Sequence, residues 1–254
     1  MSIIAVRSLS KAFGGVHAVN DISFAIERGE FLALIGPNGA GKSTCFGMIN
    51  GQLRPDAGSI VLDGADIAGL PPREIWRRGV GRTFQVAATF ASMTVIQNVQ
   101  MALISNAGET YKMWRPVASL HRDRALDLLE QVGMRSAADR PSRELAYGDV
   151  KRVELAIALA NDPKLLLMDE PTAGMGPRER NDLIALVKGL VVERRISVLF
   201  TEHSMDVVFA YADRILVMAR GRIIADGAAA AIRADPQVRE VYFGTGKTFA
   251  RGPQ

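Results

Sequence analysis

Residues 36–44 read Gly36-Pro37-Asn38-Gly39-Ala40-Gly41-Lys42-Ser43-Thr44 and directly follow the apolar run Phe31–Ile35. Glycine, four residues and then Gly-Lys-Ser is the spacing of a phosphate-binding loop, or P-loop. The pattern predicts a buried strand, a glycine-rich turn and a helix that begins near Lys42. In that arrangement backbone N–H groups and the positive end of the helix dipole converge on an anion. Lys42 is expected to reach the β- and γ-phosphates, and the Ser43 hydroxyl to complete a Mg²⁺ shell.

The composition is that of a globular protein. The 254 residues are 48% hydrophobic, which is ample for a sizeable core. The net charge of +4 is spread over 23% charged residues of both signs, which argues against a dedicated basic tail. Cys45 is the single cysteine, so an intramolecular disulfide is excluded. No stretch approaches the ~18 apolar residues of a membrane helix, and the N-terminus lacks the apolar core of a signal peptide, so we expect a cytoplasmic chain.

The order of the apolar segments predicts an α/β fold with a largely parallel sheet covered by helices. Between about 94 and 135 the pattern is helical, with Leu120, Leu128, Leu129 and Val132 near one face and Gly133 as a C-cap. The predicted strands are Ile3–Val6, Ile22–Ile26, Phe31–Ile35, 60–64, Leu165–Met168, Ile196–Phe200 and Ile215–Met218. The predicted later helices are Val153–Ala160, Glu179–Arg194 and Met205–Ala212.

Two carboxylates, Asp169 and Glu170, follow the predicted strand Leu165–Met168. Ligands of open α/β sheets bind at the carboxyl ends of the strands. We expect Asp169 to hold Mg²⁺ directly or through water, and Glu170 to polarise the attacking water. The alternative is an acidic turn without a ligand. Because the chain also contains a P-loop, the nucleotide-site interpretation is favoured over this alternative.

Three further side chains are candidates for the same site. His203 follows the strand Ile196–Phe200, where a neutral imidazole can bond a γ-phosphate; a solvated loop histidine is the alternative. Gln85 offers an amide to Mg²⁺ or to the attacking water, although an exposed loop glutamine is also typical of such a segment. Phe13 is predicted to stack on an adenine ring, with ordinary core packing as the alternative.

A second glycine turn and an arginine cluster complete the candidates. Residues Leu145-Ala146-Tyr147-Gly148-Asp149 precede the predicted helix Val150–Ala160, so they indicate either a second anion site or only a helix start. The arginines invite a nucleic-acid interpretation, but their spacing is more typical of a solvated helix face. They are Arg73, Arg77, Arg78 and Arg82.

The chain resembles the nucleotide-binding subunit of an ATP-binding cassette (ABC) transporter in the order of its motifs. These are the P-loop, Gln85, the segment 145–149 at the place of that family's signature sequence, Asp169-Glu170 and His203. The resemblance implies an ATPase that uses ATP and Mg²⁺, with one ABC domain over 1–254. It also implies a P-loop NTPase fold: a RecA-like core with an N-terminal antiparallel β-subdomain at 1–85 and 161–244, a helical subdomain at 86–160, and a tail at 245–254. Two subunits would pair head to tail, each ATP lying between one P-loop and the other subunit's signature.

A narrower resemblance is to the larger ATPase subunit of bacterial branched-chain amino-acid importers, a branch that also includes importers of urea and of small aromatic acids. It rests on the segments 79–85, 93–99, Tyr147-Gly148 and 241–244. It implies integral membrane permeases, a second ABC ATPase and, indirectly, an extracytoplasmic solute-binding protein as partners, and no nucleic acid. The subunit would be peripheral on the cytoplasmic side of the inner membrane. The alternatives are a soluble ABC ATPase acting on nucleic acid or ribosomes, which one cysteine and one P-loop disfavour, and a nucleotide-gated module with little turnover.

Three residues depart from the broad family pattern. Ala146 stands where serine is usual, Asp149 where glutamine or glutamate is usual, and Gly176 where aspartate is usual. Because the signature serves the partner's ATP, Ala146 and Asp149 would weaken the opposite nucleotide site, and Gly176 would loosen communication across the dimer. We therefore hypothesise an asymmetric heterodimer, with a homodimer as the alternative.

Overall fold

The structure is a computed structural model that describes residues 2–83, 89–109 and 119–243. The strands in these ranges are β1 Ser2–Phe13, β2 Val16–Glu27, β3 Phe31–Ile35, β4 Ala57–Leu62, β5 Ala65–Asp66, β6 Val80–Thr83, β7 Leu165–Asp169, β8 Ser197–Thr201, β9 Arg214–Ala219 and β10 Arg222–Gly227. The helices are α1 Lys42–Ile49, α2 Pro72–Arg77, α3 Val95–Asn106, α4 Arg122–Gln131, α5 Tyr147–Ala158, α6 Pro177–Arg194, α7 Met205–Tyr211, α8 Ala229–Ala234 and α9 Pro236–Phe243, with 3₁₀ turns at Arg135–Ala137 and Ser142–Glu144.

A six-stranded sheet positions the site. Its strand order is β10-β9-β3-β8-β7-β6, and every pair is parallel except β9 with the edge strand β10. Strands β3 and β8 are buried at every residue, as expected for apolar runs covered on both faces. Because β3, β8 and β7 are neighbours, the segments that leave their carboxyl ends meet at one edge of the sheet. The predicted α/β fold is confirmed.

The N-terminal sheet is antiparallel, in the order β2-β1-β4-β5. The predicted strands Ile3–Val6 and Ile22–Ile26 are the centres of longer strands, β1 and β2. Ile4 and Val6 of β1 and Ile60 of β4 lie in one hydrophobic core with Phe46 of α1. The sheet therefore packs against the side of the P-loop helix.

The helical part packs around α3, α4 and α5. Leu128, Leu129 and Val132 are fully buried, as predicted from their spacing. Leu120 does not share that face, because it precedes α4, and its carbonyl accepts a hydrogen bond from Gln100 Nε2 at 2.6 Å. Gly133 follows the C-cap with a φ of 72°, the left-handed conformation that favours glycine. Within the described ranges, no helix combines the length and apolar character that a bilayer crossing requires.

Candidate functional site

The P-loop connects β3 to α1 in very little space. A Cβ at Gly36 would overlap the carbonyl oxygen of Met218, and one at Gly41 would overlap that of Ala18. Gly41 also has a φ of 104°, which residues with a side chain rarely adopt. Glycine is thus required at both ends of the loop, because the backbone passes directly beside neighbouring strands.

Helix α1 begins at Lys42, where the sequence predicts it, with Gly41 as its N-cap. Glycine has no side chain to accept the first-turn N–H groups, which are left for an anion. The ammonium of Lys42 is buried beneath the loop and donates to the carbonyl oxygens of Gly36 at 2.7 Å and Pro37 at 3.2 Å. Burial lowers the pKa of Lys42, while Glu170 and Asp169 act in the opposite direction. Ser43, in the same turn, is exposed.

Asp169 ends β7 and is held by neighbouring strands on both sides. Thr201, its register partner on β8, donates from Oγ1 to Asp169 Oδ1 at 2.7 Å. On β6, Arg82 places Nη2 3.8 Å from Asp169 Oδ2. The interpretation of Arg82 as part of a solvated helix face is wrong, because it lies on a strand and not on α2 with Arg73. Burial lowers the pKa of Arg82, and Asp169 opposes that shift.

Glu170 and His203 form a pair at the ends of β7 and β8. Glu170 Oε1 lies 2.7 Å from His203 Nε2. The backbone of Glu170 has a φ of 48°, and its N–H donates to Thr201 Oγ1 at 3.0 Å, so the strained conformation is held by the next strand. The structure therefore brings two of the predicted catalytic side chains together with Asp169 and places their pair in contact with solvent.

Glu202 is a residue of this site that the sequence did not single out. Its carboxylate is buried and accepts hydrogen bonds from Thr172 Oγ1 at 2.6 Å, Thr172 N at 3.0 Å and the N–H of His203 at 3.2 Å. It therefore joins the loop after Glu170 to the loop that carries His203. In the sequence, only its position next to His203 indicates that Glu202 belongs to this site.

We expect Glu202→Gln to lower both stability and turnover. The amide keeps one acceptor where the carboxylate has two, so a buried donor loses its partner at a cost of about 1–3 kcal/mol. Turnover should fall about fivefold or more because the Glu170–His203 pair loses alignment. Thermal melting and ATPase assays measure the two effects, with the exposed Glu193→Gln as control. Unchanged turnover per folded molecule would make Glu202 a purely structural residue.

Of Phe13 and Gln85, the structure describes only Phe13. Phe13 is 49% exposed, with the Lys11 ammonium 5.6 Å from its ring centroid, so the core-packing alternative is wrong and adenine stacking stays a prediction. Gln85 lies outside the described residues.

The signature contains the start of α5. This helix begins at Tyr147 and ends at Ala158, so the predicted helix Val150–Ala160 is shifted, with Ala146 as N-cap. Gly148 and Asp149 are tolerated in the first turn, because its N–H groups need no intrahelical partner and an acidic side chain is favoured there. Tyr147 is exposed beside Gly174, so this helix start faces outward next to the loop before α6.

Mg²⁺ fits the oxygen ligands present. The Ser43 hydroxyl and the Asp169 carboxylate are hard donors of the kind that Mg²⁺ prefers. Two protein oxygens leave most of an octahedral shell to phosphate oxygens and water. A metal here would thus belong to the nucleotide complex.

Comparison with known proteins decides the family. Residues 19–173, more than half of the chain, match the ABC transporter family. The chain belongs to the ABC transporter family. As a member, this ABC protein binds nucleotide and is an ATPase. Its residues 222–248, of which 222–243 are described, match the branched-chain amino acid ATP-binding cassette transporter family.

Individual relatives of this ABC ATPase extend over nearly its whole length. It is 38% identical over 250 residues to the high-affinity branched-chain amino acid transport ATP-binding protein LivG of Escherichia coli, covering 95% of the chain and 98% of LivG. It is 37% identical to the corresponding protein BraF of Pseudomonas aeruginosa, with the same coverage. Among solved structures, a nucleotide-free ATP-binding cassette from an ABC transporter matches 96% of this chain and 100% of that chain with a TM-score of 0.87 and 35% identity. A cassette in its ADP conformation matches 96% of this chain and 99% of that chain with a TM-score of 0.86 and 33% identity.

Proposed function

We propose that this ABC ATPase energises the import of branched-chain amino acids. The observation that carries the proposal is the convergence of Lys42, Asp169 and the Glu170–His203 pair at one edge of the sheet. LivG and BraF are both named as branched-chain amino acid transport ATP-binding proteins, and these names supply the solute class.

The geometry supports hydrolysis by an activated water. The start of α1 and the Lys42 ammonium would bind the phosphates, and Ser43 and Asp169 would hold the metal. Mg²⁺, when bound, neutralises charge that develops on the phosphate oxygens. Glu170 accepts the proton of the attacking water, and His203 Nε2 would exchange its contact with Glu170 for one with the terminal phosphate. The 2.7 Å contact between Glu170 and His203 holds the two side chains next to each other in the absence of nucleotide.

A second ABC ATPase is the partner we propose for the outward-facing start of α5. Ala146 is its N-cap and offers no hydroxyl, and Asp149 adds a negative charge to its first turn. Gly176, the N-cap of α6, likewise carries no side chain toward a partner. Loss of one hydrogen bond to a charged group costs about 1.5–3 kcal/mol. These features favour a heterodimer in which the partner supplies an intact signature to this P-loop.

The permeases are proposed to dock in a groove of about 390 Å³ between the sheet and the helical part. We call it the α2–α3 groove. Its apolar lining contains Pro72, Ile75, Trp76, Val80, Ala102 and Ile157. An exposed apolar cleft of this kind marks an interaction site, and docking there would hold the subunit peripherally on the cytoplasmic side of the inner membrane.

Transport in proteoliposomes tests the proposal. The ATPase would be assembled with its two permeases and second ATPase, and the solute-binding protein added. We expect uptake of labelled leucine, isoleucine and valine that requires ATP and stops when ATP is omitted. Uptake of urea or of a small aromatic acid, without uptake of these amino acids, would contradict the proposed solute class.

A further inference from the structure

Arg82 is the described side chain that belongs to both the α2–α3 groove and the nucleotide site. It lines the groove together with Trp76 and Ala102. The same guanidinium lies 3.8 Å from the carboxylate of Asp169. One side chain thus separates the surface where a permease would dock from the carboxylate that would hold Mg²⁺.

The ion pair is sheltered from water. The side chains of Arg82 and Asp169 are only 16% and 15% exposed, so their charges are screened much less than those of a surface pair. The fork of Arg82 is fixed from the other side, where Nη1 donates to Gln52 Oε1 at 2.7 Å. Strand pairing holds the backbone, since Arg82 lies opposite Leu167 in the β6–β7 register. The guanidinium therefore stands at a defined position beside Asp169.

A positive charge at this position opposes a second cation. Mg²⁺ must approach the carboxylate that Arg82 already compensates, so the guanidinium raises the concentration of Mg²⁺ that the site requires. The groove also contains Arg73, so both charged side chains among its described lining residues are cationic. An occupant with oxygen acceptors would attract Arg82 away from Asp169 and relieve that opposition.

We propose that Arg82 is a positioning residue that restrains Asp169, tunes the Mg²⁺ requirement of the nucleotide site, and transmits occupancy of the α2–α3 groove to it. The part of the proposal that concerns transmission rests on the proposed function; the part that concerns Mg²⁺ does not.

A binding titration tests the first part without turnover. The isolated ABC ATPase is freed of metal and given a fixed amount of a fluorescent non-hydrolysable ATP analogue, and MgCl₂ is then added. The analogue's own affinity for Mg²⁺ is common to all variants, so a difference between them reports the protein. We expect Arg82→Gln to lower the half-saturating Mg²⁺ about three- to tenfold, and Arg82→Lys, which keeps the charge, to stay near wild type.

The sign of the change separates the proposal from a purely structural role. If Arg82 only held the Asp169 side chain in its conformation, Arg82→Gln would raise the half-saturating Mg²⁺ concentration. Either a raised or an unchanged concentration would overturn the proposal. Arg78→Gln removes the same charge from an exposed position at the end of α2 and is the matched control. Thermal melting verifies that each variant is folded. If Arg82→Gln does not fold, Arg82→Lys and Arg82→Met replace it in the test. A raised half-saturating Mg²⁺ concentration in Arg82→Lys would overturn the proposal. A wild-type concentration in Arg82→Lys together with a lowered concentration in Arg82→Met would support it.

The second part is tested by the same titration on the complex with its permeases. In the wild type, assembly should lower the half-saturating Mg²⁺ severalfold, and in Arg82→Gln assembly should add no further change. An equal effect of assembly in both proteins would overturn transmission through Arg82. Failure of the wild-type complex to transport any solute would instead count against the proposed function and leave the result of the isolated titration standing.

Discussion

Lys42→Ala is expected to abolish tight nucleotide binding and turnover. The ammonium is buried directly beneath the loop, where it donates to the carbonyls of Gly36 and Pro37, so it is positioned for phosphates at the start of α1. Each hydrogen bond from the ammonium to a phosphate oxygen would be worth about 1.5–3 kcal/mol, and loss of two such contacts weakens binding roughly 10²- to 10⁴-fold. Fluorescent ATP binding by the isolated subunit and phosphate release by the assembled complex measure the loss.

The control for this prediction is Lys164→Ala. Lys164 is a half-exposed lysine paired with Asp63, and such surface pairs contribute about 0–1 kcal/mol. Its binding and turnover should match wild type. Wild-type ATP consumption by fully assembled Lys42→Ala protein would show that the phosphates are bound elsewhere, and would remove the basis of the proposed function.

The local parts of the site could be predicted from sequence because each is a short-range pattern. The start of α1 at Lys42 follows from the glycine spacing after an apolar strand, and the positions of Asp169 and Glu170 follow from the end of another. Such motifs restrict the backbone within a few residues, where steric limits act. No knowledge of tertiary contacts is needed for them.

The order of the strands is the information that these patterns lack. Thr201 bonds Asp169, and Glu202 bonds Thr172, only because β7 and β8 are neighbours in the sheet. Arg82 was misread for the same reason. Its spacing from Arg78 suits a helix, while its contact with Asp169 depends on the pairing of β6 with β7.

The signature and Phe13 show a second limit, which concerns boundaries and exposure. A glycine before a predicted helix suggests that the helix begins after it, but α5 already includes Gly148, since first-turn residues need no intrahelical N–H partner. An aromatic residue near the end of a strand is equally typical of a core or of a surface. Burial of Phe13 is decided by what lies opposite it, and nothing in the strand pattern states that.

Glu170→Gln is expected to lower turnover about 10²- to 10⁴-fold while ATP binding persists, because it removes general-base catalysis and little else. Glutamine can adopt the same backbone conformation and still hydrogen-bond His203, so the geometry of the pair is kept. What is lost is the ability to accept the proton of the attacking water. Phosphate release should therefore fall in the assembled complex, and a complex of the two ATPases with trapped ATP should accumulate on size-exclusion chromatography.

The comparison of Glu170→Gln with Ala146→Ser decides whether the two nucleotide sites differ. Glu170 acts on the ATP at this P-loop, whereas Ala146 would act on the ATP of the partner. If the pair is asymmetric, Glu170→Gln removes most turnover of the complex, and Ala146→Ser raises turnover at the slower opposite site by restoring a hydroxyl donor. A change from alanine to serine at an exposed N-cap also favours the helix, so folding does not confound the result. Turnover that survives Glu170→Gln, or that is indifferent to Ala146→Ser, would show that the two sites contribute alike.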